Sequence, residues 1–233
     1  MELPQQITPA QVEAALQASC PSSPAVELSA ARILEFKQRF MAIADGVCPG
    51  FSLEERQKPV INDLFRWCMK LPGELDPEKG LWLWGGIGTG KSTLIQVINR
   101  FCYEVRPDEL IGNNTYTLPF CIRIRRAIDI CDLYSEKGAA GIREVVSLDR
   151  LCIDDIGTES QVASHYGNAA NVVGDLLLRR YDMRYRFQTH ATANLTPEEV
   201  ARVYGSRVFD RLGEMCNFVY YPGYTHRPGI RLS

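Results

Sequence analysis

The stretch Gly85-Gly86-Ile87-Gly88-Thr89-Gly90-Lys91-Ser92 fits the eight-residue phosphate-loop pattern G-x-x-x-x-G-K-[ST]. An apolar run from Leu81 to Trp84 leads into it, and a segment with apolar residues at helical spacing leads out of it. In a strand-loop-helix unit of this kind, backbone N–H groups and the helix N-terminus face a bound anion. A chance match to the four fixed positions is expected in roughly one such chain per hundred, so we predict a nucleotide-binding loop.

Each residue type in this loop has a predicted role. The glycines let the backbone turn its N–H groups inward, Lys91 reaches the β and γ phosphates, and the Ser92 hydroxyl binds magnesium. The alternative is a glycine-rich turn with a solvated lysine. The predicted nucleotide-binding residues are Gly85, Gly86, Ile87, Gly88, Thr89, Gly90, Lys91, Ser92 and Thr93.

Two adjacent carboxylates, Asp154 and Asp155, end a second apolar run that begins at Arg150. Because the carboxyl ends of parallel strands line the ligand crevice, we predict that Asp154 holds magnesium, directly or through water. Asp155 would orient and deprotonate the attacking water. The alternative is a turn that uses Asp as a helix N-cap. With Ile156 and Gly157 the pair also fits the D-x-x-G of GTPases, but the guanine-reading Asn-Lys-x-Asp is absent from the sequence, which favours ATP.

Asn194 follows another predicted strand and is a candidate to bind the γ-phosphate and the attacking water through its neutral amide. The alternative is a turn-forming Asn before a cap at Thr196. Arg207 and Arg211 are four residues apart and share one helical face. Such pairs usually form weak surface ion pairs, but in a ring or spiral one of them could reach the γ-phosphate of a neighbouring copy.

Composition places the chain among ordinary folded proteins. Its 233 residues suit one large domain or a core with a small appendage, and the 45% apolar and 23% charged residues exclude fibrous and fully disordered classes. No run is long enough to span a membrane and no secretory signal is visible, so a cytoplasmic protein without membrane contact is expected. The eight cysteines form no Cys-x-x-Cys pair, so neither a zinc cluster nor a disulfide framework is indicated.

From residue 80 onward, short apolar runs alternate with helical segments, which predicts an α/β fold with a parallel sheet. Strands are predicted near 81–84, 120–124, 151–154, 188–193 and 217–221, and helices near 90–104, 127–137, 141–147, 168–183, 197–204 and 206–212. Upstream, helices are predicted over 8–19, over an apolar stripe at 33–44, and from Ser52, with Glu55 closing a capping box, to about residue 71. We expect a helical partner-binding extension at 1–50 and a nucleotide-binding core at 51–233.

Four segments in this order, GGIGTGKS, LCIDDIG, THATANLTPEEV and YGSRVFDRLGEMCNFVYYPGYTHR, resemble the DnaC/IstB-type branch of AAA+ ATPases over roughly residues 50 to 228. The resemblance implies a P-loop NTPase of AAA+ type with a five-stranded parallel sheet flanked by helices and no C-terminal lid domain. It makes residues 85–92 Walker A, Asp154 and Asp155 Walker B, and Asn194 sensor 1. It also makes Arg211 the arginine that acts in trans, with Arg207 as its companion.

The resemblance further implies ATP hydrolysis with Mg²⁺, self-association into a ring or spiral, and action on DNA beside a replicative helicase or a transposase. We therefore expect a helicase-loader-like ATPase. The alternatives are an IstB-type transposition helper ATPase, a P-loop kinase, and a nucleotide-dependent scaffold that does not hydrolyse ATP.

Two arginine groups are candidates for binding single-stranded DNA, and a solvated helical face explains the second about equally well. The first, which we prefer, follows the second predicted strand, and the second is interleaved with Tyr181 and Tyr185. They consist of Arg123, Arg125 and Arg126, and of Arg179, Arg180, Arg184 and Arg186. The histidines 165, 190 and 226 are expected to be structural, and Trp82 and Trp84 to lie in the core.

Overall fold

A computed structural model describes residues 28–107, 120–160, 162–165 and 168–224. The helix predicted over 8–19 and the histidine at 226 lie outside these residues. In chain order the elements are α1 (Ala30–Val47), a 3-10 turn (Glu55–Gln57), α2 (Lys58–Cys68), β1 (Gly80–Trp84), α3 (Lys91–Val105), β2 (Arg123–Arg126), α4 (Ala127–Lys137), α5 (Ala139–Val146), β3 (Arg150–Ile156), β4 (Ala163–His165), β5 (Asn168–Ala170), α6 (Val172–Asp182), β6 (Gln188–Ala193), α7 (Pro197–Tyr204), α8 (Ser206–Met215) and β7 (Cys216–Tyr220).

The central sheet has five strands in the order β2-β3-β6-β1-β7, and all neighbouring strands are parallel. The predicted α/β fold with a five-stranded parallel sheet is therefore confirmed. Because the strands are parallel, their carboxyl ends meet at one edge, where the loops after β1, β3 and β6 begin. Within the described residues, no helical domain follows β7.

The sheet is covered on both faces because its strands alternate side chains between two cores. Leu81 and Leu83 pack against α1, α2 and α3, whereas Trp82 packs on the other face, against helices that follow β2, β3 and β6. Trp82 is fully buried and stacks on Phe218, as predicted for a core residue, and Trp84 is half-buried against Tyr220.

Helix α1 shares the first core rather than standing apart from it. Phe40 contacts Phe65 of α2 and Phe101 of α3, with ring centroids 6.2 and 5.2 Å away. Phe36, Phe40 and Ala44 all face this core, at the spacing of one helical stripe. The division of the chain at residue 50 stays a prediction, and the second half of the proposed extension packs directly on the nucleotide-binding core.

The helix predicted from Ser52 begins later than expected. Glu54 caps a 3-10 turn, its capping box is completed by Gln57, and α2 starts only at Lys58. The physical reason is Pro59, which suits the first turn of a helix but would have lost a hydrogen bond in the interior of the predicted one. The helix also ends at Cys68, before Lys70 takes a left-handed conformation.

Two other boundaries differ from the sequence prediction. The helix predicted at 168 begins at Val172, because Asn171 caps it through a 2.9 Å bond to the Gly174 N–H. Residues 168–170 instead pair with 163–165 in a small antiparallel hairpin, which is too short to show a periodic pattern. Strand β2 lies at Arg123–Arg126 rather than 120–124, since an exposed edge strand tolerates the arginines that made its sequence look unlike a strand.

Candidate functional site

The loop between β1 and α3, where the phosphate loop is predicted, contains two glycines with left-handed φ values. Gly85 and Gly90 adopt φ values of 151° and 94°, and Gly90 directly precedes α3. A side chain at position 85 would also place its Cβ 2.4 Å from the Tyr221 carbonyl oxygen. Only glycine satisfies both the left-handed backbone and this close approach. The loop therefore presents backbone N–H groups at the N-terminus of a fifteen-residue helix, which is an anion-binding arrangement.

Lys91 and Asn194, which are 103 positions apart in the sequence, meet at this loop. The Lys91 ammonium is buried and donates to the Gly85 carbonyl at 3.0 Å and the Gly86 carbonyl at 2.7 Å. It also donates to Oδ1 of Asn194 at 2.8 Å. The cation is thus held in place beside the loop by acceptors that phosphate oxygens can replace.

The acid pair at the end of β3 is organised by a residue that sequence reasoning missed, Thr192 on β6. Its hydroxyl donates to Oδ1 of Asp154 at 2.6 Å and accepts the backbone N–H of Asp155 at 2.9 Å. Thr192 and Asp154 are both buried. A polar residue inside the otherwise apolar run at 191–193 is the one signal that could have drawn attention to it. Thr192 therefore fixes the orientation of the Asp154 carboxylate and the backbone position of Asp155.

Asp155 sits at an irregularity of the sheet. Its φ of 57° is left-handed, and the pairing of β3 with β6 shifts register between Ile153 and Ile156. Aspartate tolerates this conformation better than most residues, but it still costs on the order of 1–3 kcal/mol. Backbone strain of this kind is characteristic of functional sites. The bulge places consecutive side chains, Asp154 and Asp155, in different environments, one buried and one half-exposed.

The donor set at this edge fits a magnesium ion. Of the Asp154 carboxylate, Oδ1 is held by Thr192, whereas Oδ2 makes no hydrogen bond to any described residue. The half-buried hydroxyl of Ser92 is likewise unbonded within the described part of the chain. Carboxylate and hydroxyl oxygens without another hydrogen-bond partner, together with phosphate oxygens, are ligands that Mg²⁺ prefers.

No family model matches the sequence, and no curated protein matches it either. Solved structures do match. The crystal structure of the DnaC helicase loader superimposes with a TM-score of 0.53 at 17% identity, covering 79% of this chain and 99% of that one. The crystal structure of DnaI gives a TM-score of 0.51 at 20% identity, covering 78% of this chain and 89% of that one. The chain therefore shares the fold of these two structures. The resemblance seen in the sequence is therefore confirmed at the level of the fold.

The loop after the acid pair is tied to helix α7 by a second residue that the sequence did not reveal. Glu159 is buried, and its carboxylate accepts the Gly157 N–H at 2.8 Å and the Tyr204 hydroxyl through its other oxygen. Burial and this hydrogen bond raise the pKa of Tyr204 well above its ordinary value. Tyr204 ends α7, and α8 follows immediately after Gly205. No sequence motif marks this pair.

The chain after β7 returns to the phosphate loop, which the sequence did not predict either. The Tyr221 N–H donates to the Trp84 carbonyl at 2.8 Å, one residue before the loop. The Gln57 amide donates to the Pro222 carbonyl at 2.9 Å, and the Arg56 guanidinium lies 4.0 Å from the Tyr224 ring centroid. The 3-10 turn and the last described residues therefore form one border of the site.

The two arginines of α8 are not brought to the phosphate loop of their own chain by any hydrogen bond or ion pair among the described residues. Arg207 is exposed, and Arg211 is half-exposed with its guanidinium 4.7 Å from the centroid of the Tyr181 ring. Their role stays a prediction, and it depends on a neighbouring copy.

Arg180 does not belong with the candidate DNA contacts, and that part of the prediction is wrong. Its side chain is fully buried. It donates to Thr189 Oγ1 at 2.9 Å, to the Val146 carbonyl at 2.7 Å, and to the carbonyls of Leu148 and Gln188. Burial lowers the pKa of Arg180 to about 10. The helical period places residue 180 on the same buried face as the apolar residues of α6. Its position on the helix, rather than the neighbouring arginine in the sequence, therefore determines its burial.

The other candidate arginines differ in their availability. Arg123 and Arg125 are exposed on edge strand β2, whereas Arg126 forms a two-point ion pair with Asp129, at 2.6 and 3.0 Å. Arg184 stacks on Tyr181 and Tyr185. Arg179, Arg186 and Arg143 line a cleft of about 550 Å³ floored by apolar side chains. This cleft adjoins the amino ends of β3 and β6, at the opposite edge of the sheet from the nucleotide loop.

The buried histidine of β6 is structural, as predicted. His190 accepts the Leu81 N–H through Nδ1 at 3.2 Å and packs edge-on against Trp67. Burial lowers its pKa to about 3, so the ring is neutral at physiological pH. Among the described helices, none is both long enough and apolar enough to cross a membrane.

Proposed function

We propose that this protein binds and hydrolyses ATP at the carboxyl edge of its sheet and acts as a helicase-loader-like factor in DNA replication. The observation that carries the proposal is the convergence of Lys91, Asn194 and Asp154 around a glycine-rich loop. Each residue type there suits one part of a triphosphate site: a cation, a neutral amide and an oriented carboxylate. The absence of a guanine-reading motif from the sequence favours ATP over GTP.

The chain's own groups account for the proposed steps. Lys91 binds phosphate oxygens through the ammonium that now contacts the loop carbonyls, and Ser92 and Asp154 hold the metal. Magnesium, when bound, offsets negative charge on the phosphates. Asp155 is half-exposed beside them, orients the attacking water and accepts its proton. Asn194, already bonded to Lys91, contacts the γ-phosphate without adding charge.

We further propose that the site is completed by a second copy of the chain. Arg211 makes no contact with its own loop among the described residues, yet a hydrolysis site of this kind needs a cation to stabilise the charge of the transition state. A guanidinium supplied in trans can contribute a factor of about 10³–10⁵ to turnover. Self-association into a ring or spiral would place Arg211 of one copy, with Arg207 one turn away, at the γ-phosphate of the next.

The proposed biological role, including a cytoplasmic location and a partner-binding role for residues 1–50, extends the likeness to the DnaC helicase loader. That structure is covered almost completely by this chain, at 99% of its length. A replicative helicase is therefore the partner we propose, and a transposase is the alternative that the same chemistry would serve.

The function is tested by measuring steady-state phosphate release from ATP with the full chain. Release is measured alone, with single-stranded DNA, and with the purified replicative helicase or transposase of the same organism. We expect magnesium-dependent release that changes when the helicase and DNA are added. Release that responds only to the transposase would favour the transposition helper. An absence of release under all conditions would contradict the ATPase and leave a nucleotide-dependent scaffold.

Single-stranded DNA is the nucleic acid we propose as a ligand, bound through Arg123 and Arg125. Both side chains are exposed on an edge strand, and neither has an ion-pair partner among the described residues. If they bind phosphates, affinity should fall with salt by a log-log slope of about 0.7 per neutralised phosphate. Replacing both with Gln should reduce that slope by about 1.4. Arg32→Gln combined with Arg39→Gln, at two exposed positions of α1, is the control and should leave the slope unchanged. An unchanged slope in the Arg123 and Arg125 variant would place the DNA contacts elsewhere.

A further inference from the structure

The ring of Tyr181, on α6, is in cation–π contact with two arginine side chains. The Cζ atoms of Arg184 and Arg211 lie 4.0 and 4.7 Å from the ring centroid. The phenol hydroxyl donates to Oε2 of Glu214 at 2.8 Å, and Nη2 of Arg184 lies 3.7 Å from the same oxygen. Tyr181 thus connects α6 to two charged residues of α8, Arg211 and Glu214.

The two arginines on this ring differ in what their N–H groups contact. Arg184 donates from Nη1 to the Tyr181 carbonyl at 3.1 Å and from Nη2 to the Tyr185 hydroxyl at 2.9 Å. Arg211 makes no hydrogen bond or ion pair with any described residue. A cation held over a ring is attracted by the ring face, so contact with the ring leaves its edge donors unused. Of the two, Arg211 is the one equipped to bind an external anion.

Glu214 is the residue best placed to occupy the donors of Arg211 and so prevent it from binding an external anion. It lies three residues after Arg211 on the same helix, at a spacing that favours an ion pair. A carboxylate paired with a guanidinium engages two of its donors at once, which are the donors that a phosphate would need. In the structure Glu214 is bonded instead to the Tyr181 hydroxyl and faces Arg184.

We propose that Tyr181 is a positioning residue that keeps Arg211 available to the phosphate of a neighbouring copy. Its ring supports the guanidinium, and its hydroxyl holds Glu214 away from it. The inference rests on the proposed function of Arg211 in trans and adds to it a device within the donating subunit. It assigns Tyr181, Arg184 and Glu214 to that device rather than to DNA binding.

The test uses mixtures of two full-length variants, each inactive alone under the proposal. The recipient, Arg211→Ala, has an intact nucleotide site but no arginine to donate, and the donor, Lys91→Ala, has the arginine but no functional nucleotide site. Phosphate release in the mixture comes from recipient sites completed by donors. Tyr181→Phe is then introduced into the donor alone, which removes one hydroxyl and keeps the ring.

We expect Tyr181→Phe in the donor to lower phosphate release by the mixture about two- to fivefold, because Glu214, then held only by Arg184 at 3.7 Å, can pair with Arg211. Adding Glu214→Gln to that donor should restore most of the release, since the competing charge is gone. A folding defect predicts no such rescue, because Glu214→Gln restores no packing. Tyr103→Phe in the donor is the control and should leave release unchanged, since Tyr103 is exposed on α3, which packs on the other face of the sheet.

The outcomes separate this inference from the function on which it rests. If the parent donor and recipient release no phosphate at any ratio, the shared site fails and the inference fails with it. If they do, but Tyr181→Phe in the donor changes nothing, Arg211 acts in trans without help from Tyr181. A loss that Glu214→Gln does not rescue would also overturn the inference, because it would show that Glu214 is not the competing group.

Discussion

Strand β6 contains two buried threonines, and each forms hydrogen bonds at a different end of the strand. At the amino end, Thr189 accepts a hydrogen bond from Arg180, whose other contacts are backbone carbonyls. At the carboxyl end, Thr192 holds Asp154 and the backbone of Asp155. The same residue type, three positions apart, thus anchors a buried cation on one side and an acid pair on the other.

The two ends of β6 differ in whether the polar groups there have hydrogen-bond donors or acceptors that remain unused. Each nitrogen of the Arg180 guanidinium donates to an acceptor inside the protein and the side chain is fully buried, so this cation is not accessible to a ligand. At the other end, Oδ2 of Asp154 and the carboxylate of Asp155 make no hydrogen bond to any described residue. A polar group whose hydrogen bonds are all made within the protein is characteristic of a structural role. An oriented polar group that still has an unused hydrogen-bond acceptor is characteristic of a binding site.

The largest effect is expected from Lys91→Ala at the carboxyl end. Removing the buried cation should abolish ATP turnover, at least about a thousandfold, because the phosphates lose their direct cationic partner. Turnover and nucleotide binding measured on the purified variant check this. Lys58→Ala, which removes a surface lysine paired with Glu55, is the control and should turn over ATP normally. Normal turnover by Lys91→Ala would remove the nucleotide site from this end of the sheet.

Arg211→Ala tests a surface arginine whose N–H donors make no hydrogen bond to any described residue. It should lower turnover about a thousandfold or more while leaving ATP affinity at low protein concentration unchanged, since the proposal places this arginine at the site of another subunit. Equilibrium binding and phosphate release measured on one preparation separate the two effects. Arg202→Ala on α7 is the exposed control and should change neither. Equal losses of binding and turnover in Arg211→Ala would indicate that the arginine serves its own site.

Arg180→Met tests the amino end. Removing a buried guanidinium leaves several carbonyls and a hydroxyl unpaired, so the free energy of unfolding should fall by about 3 kcal/mol. Chemical denaturation measures this, and Arg179→Met, its exposed neighbour, should lie within about 0.5 kcal/mol of the parent. ATP affinity of folded Arg180→Met should be unchanged. A stable variant with weakened ATP binding would reverse the roles assigned to the two ends.

The smallest effect is expected from Thr192→Val, which keeps the shape of the side chain and removes its hydroxyl. Because the hydroxyl orients the predicted metal ligand, the magnesium concentration for half-maximal turnover should rise about 10–100-fold. Thr189→Val is the matched control on the same strand, and it should lower stability without changing the magnesium requirement. If both variants needed the same magnesium as the parent, Thr192 would be structural like Thr189.

The sequence predicted those parts of the site that are contained in contiguous stretches. The loop at 85–92, the acid pair and Asn194 each end or follow an apolar strand, and parallel strands bring such ends together whatever the details of packing. Thr192, Glu159 and Tyr181 could not be predicted in this way, because their roles depend on the register of β3 against β6 and on the packing of α6 against α8. Neither the strand register nor the helix packing produces a local pattern in the sequence.

The fold was predictable to a similar depth. Strand and helix types followed from periodicity, whereas the start of α2 depended on Pro59 and that of α6 on a capping asparagine. Arg180 shows the limit most clearly. Its neighbours in the sequence are charged or aromatic, and only its position on the helix shows that it faces the core.

The buried bond between Glu159 and Tyr204 has a mechanical consequence for an assembly of copies. It connects the loop that follows the acid pair to the end of α7, and α8 begins two residues later. Under the proposed function, a shift of that loop upon ATP cleavage would therefore displace α8, which carries Arg211. In the proposed assembly, events at one nucleotide site would reach the neighbouring copy through this hydrogen-bonded connection.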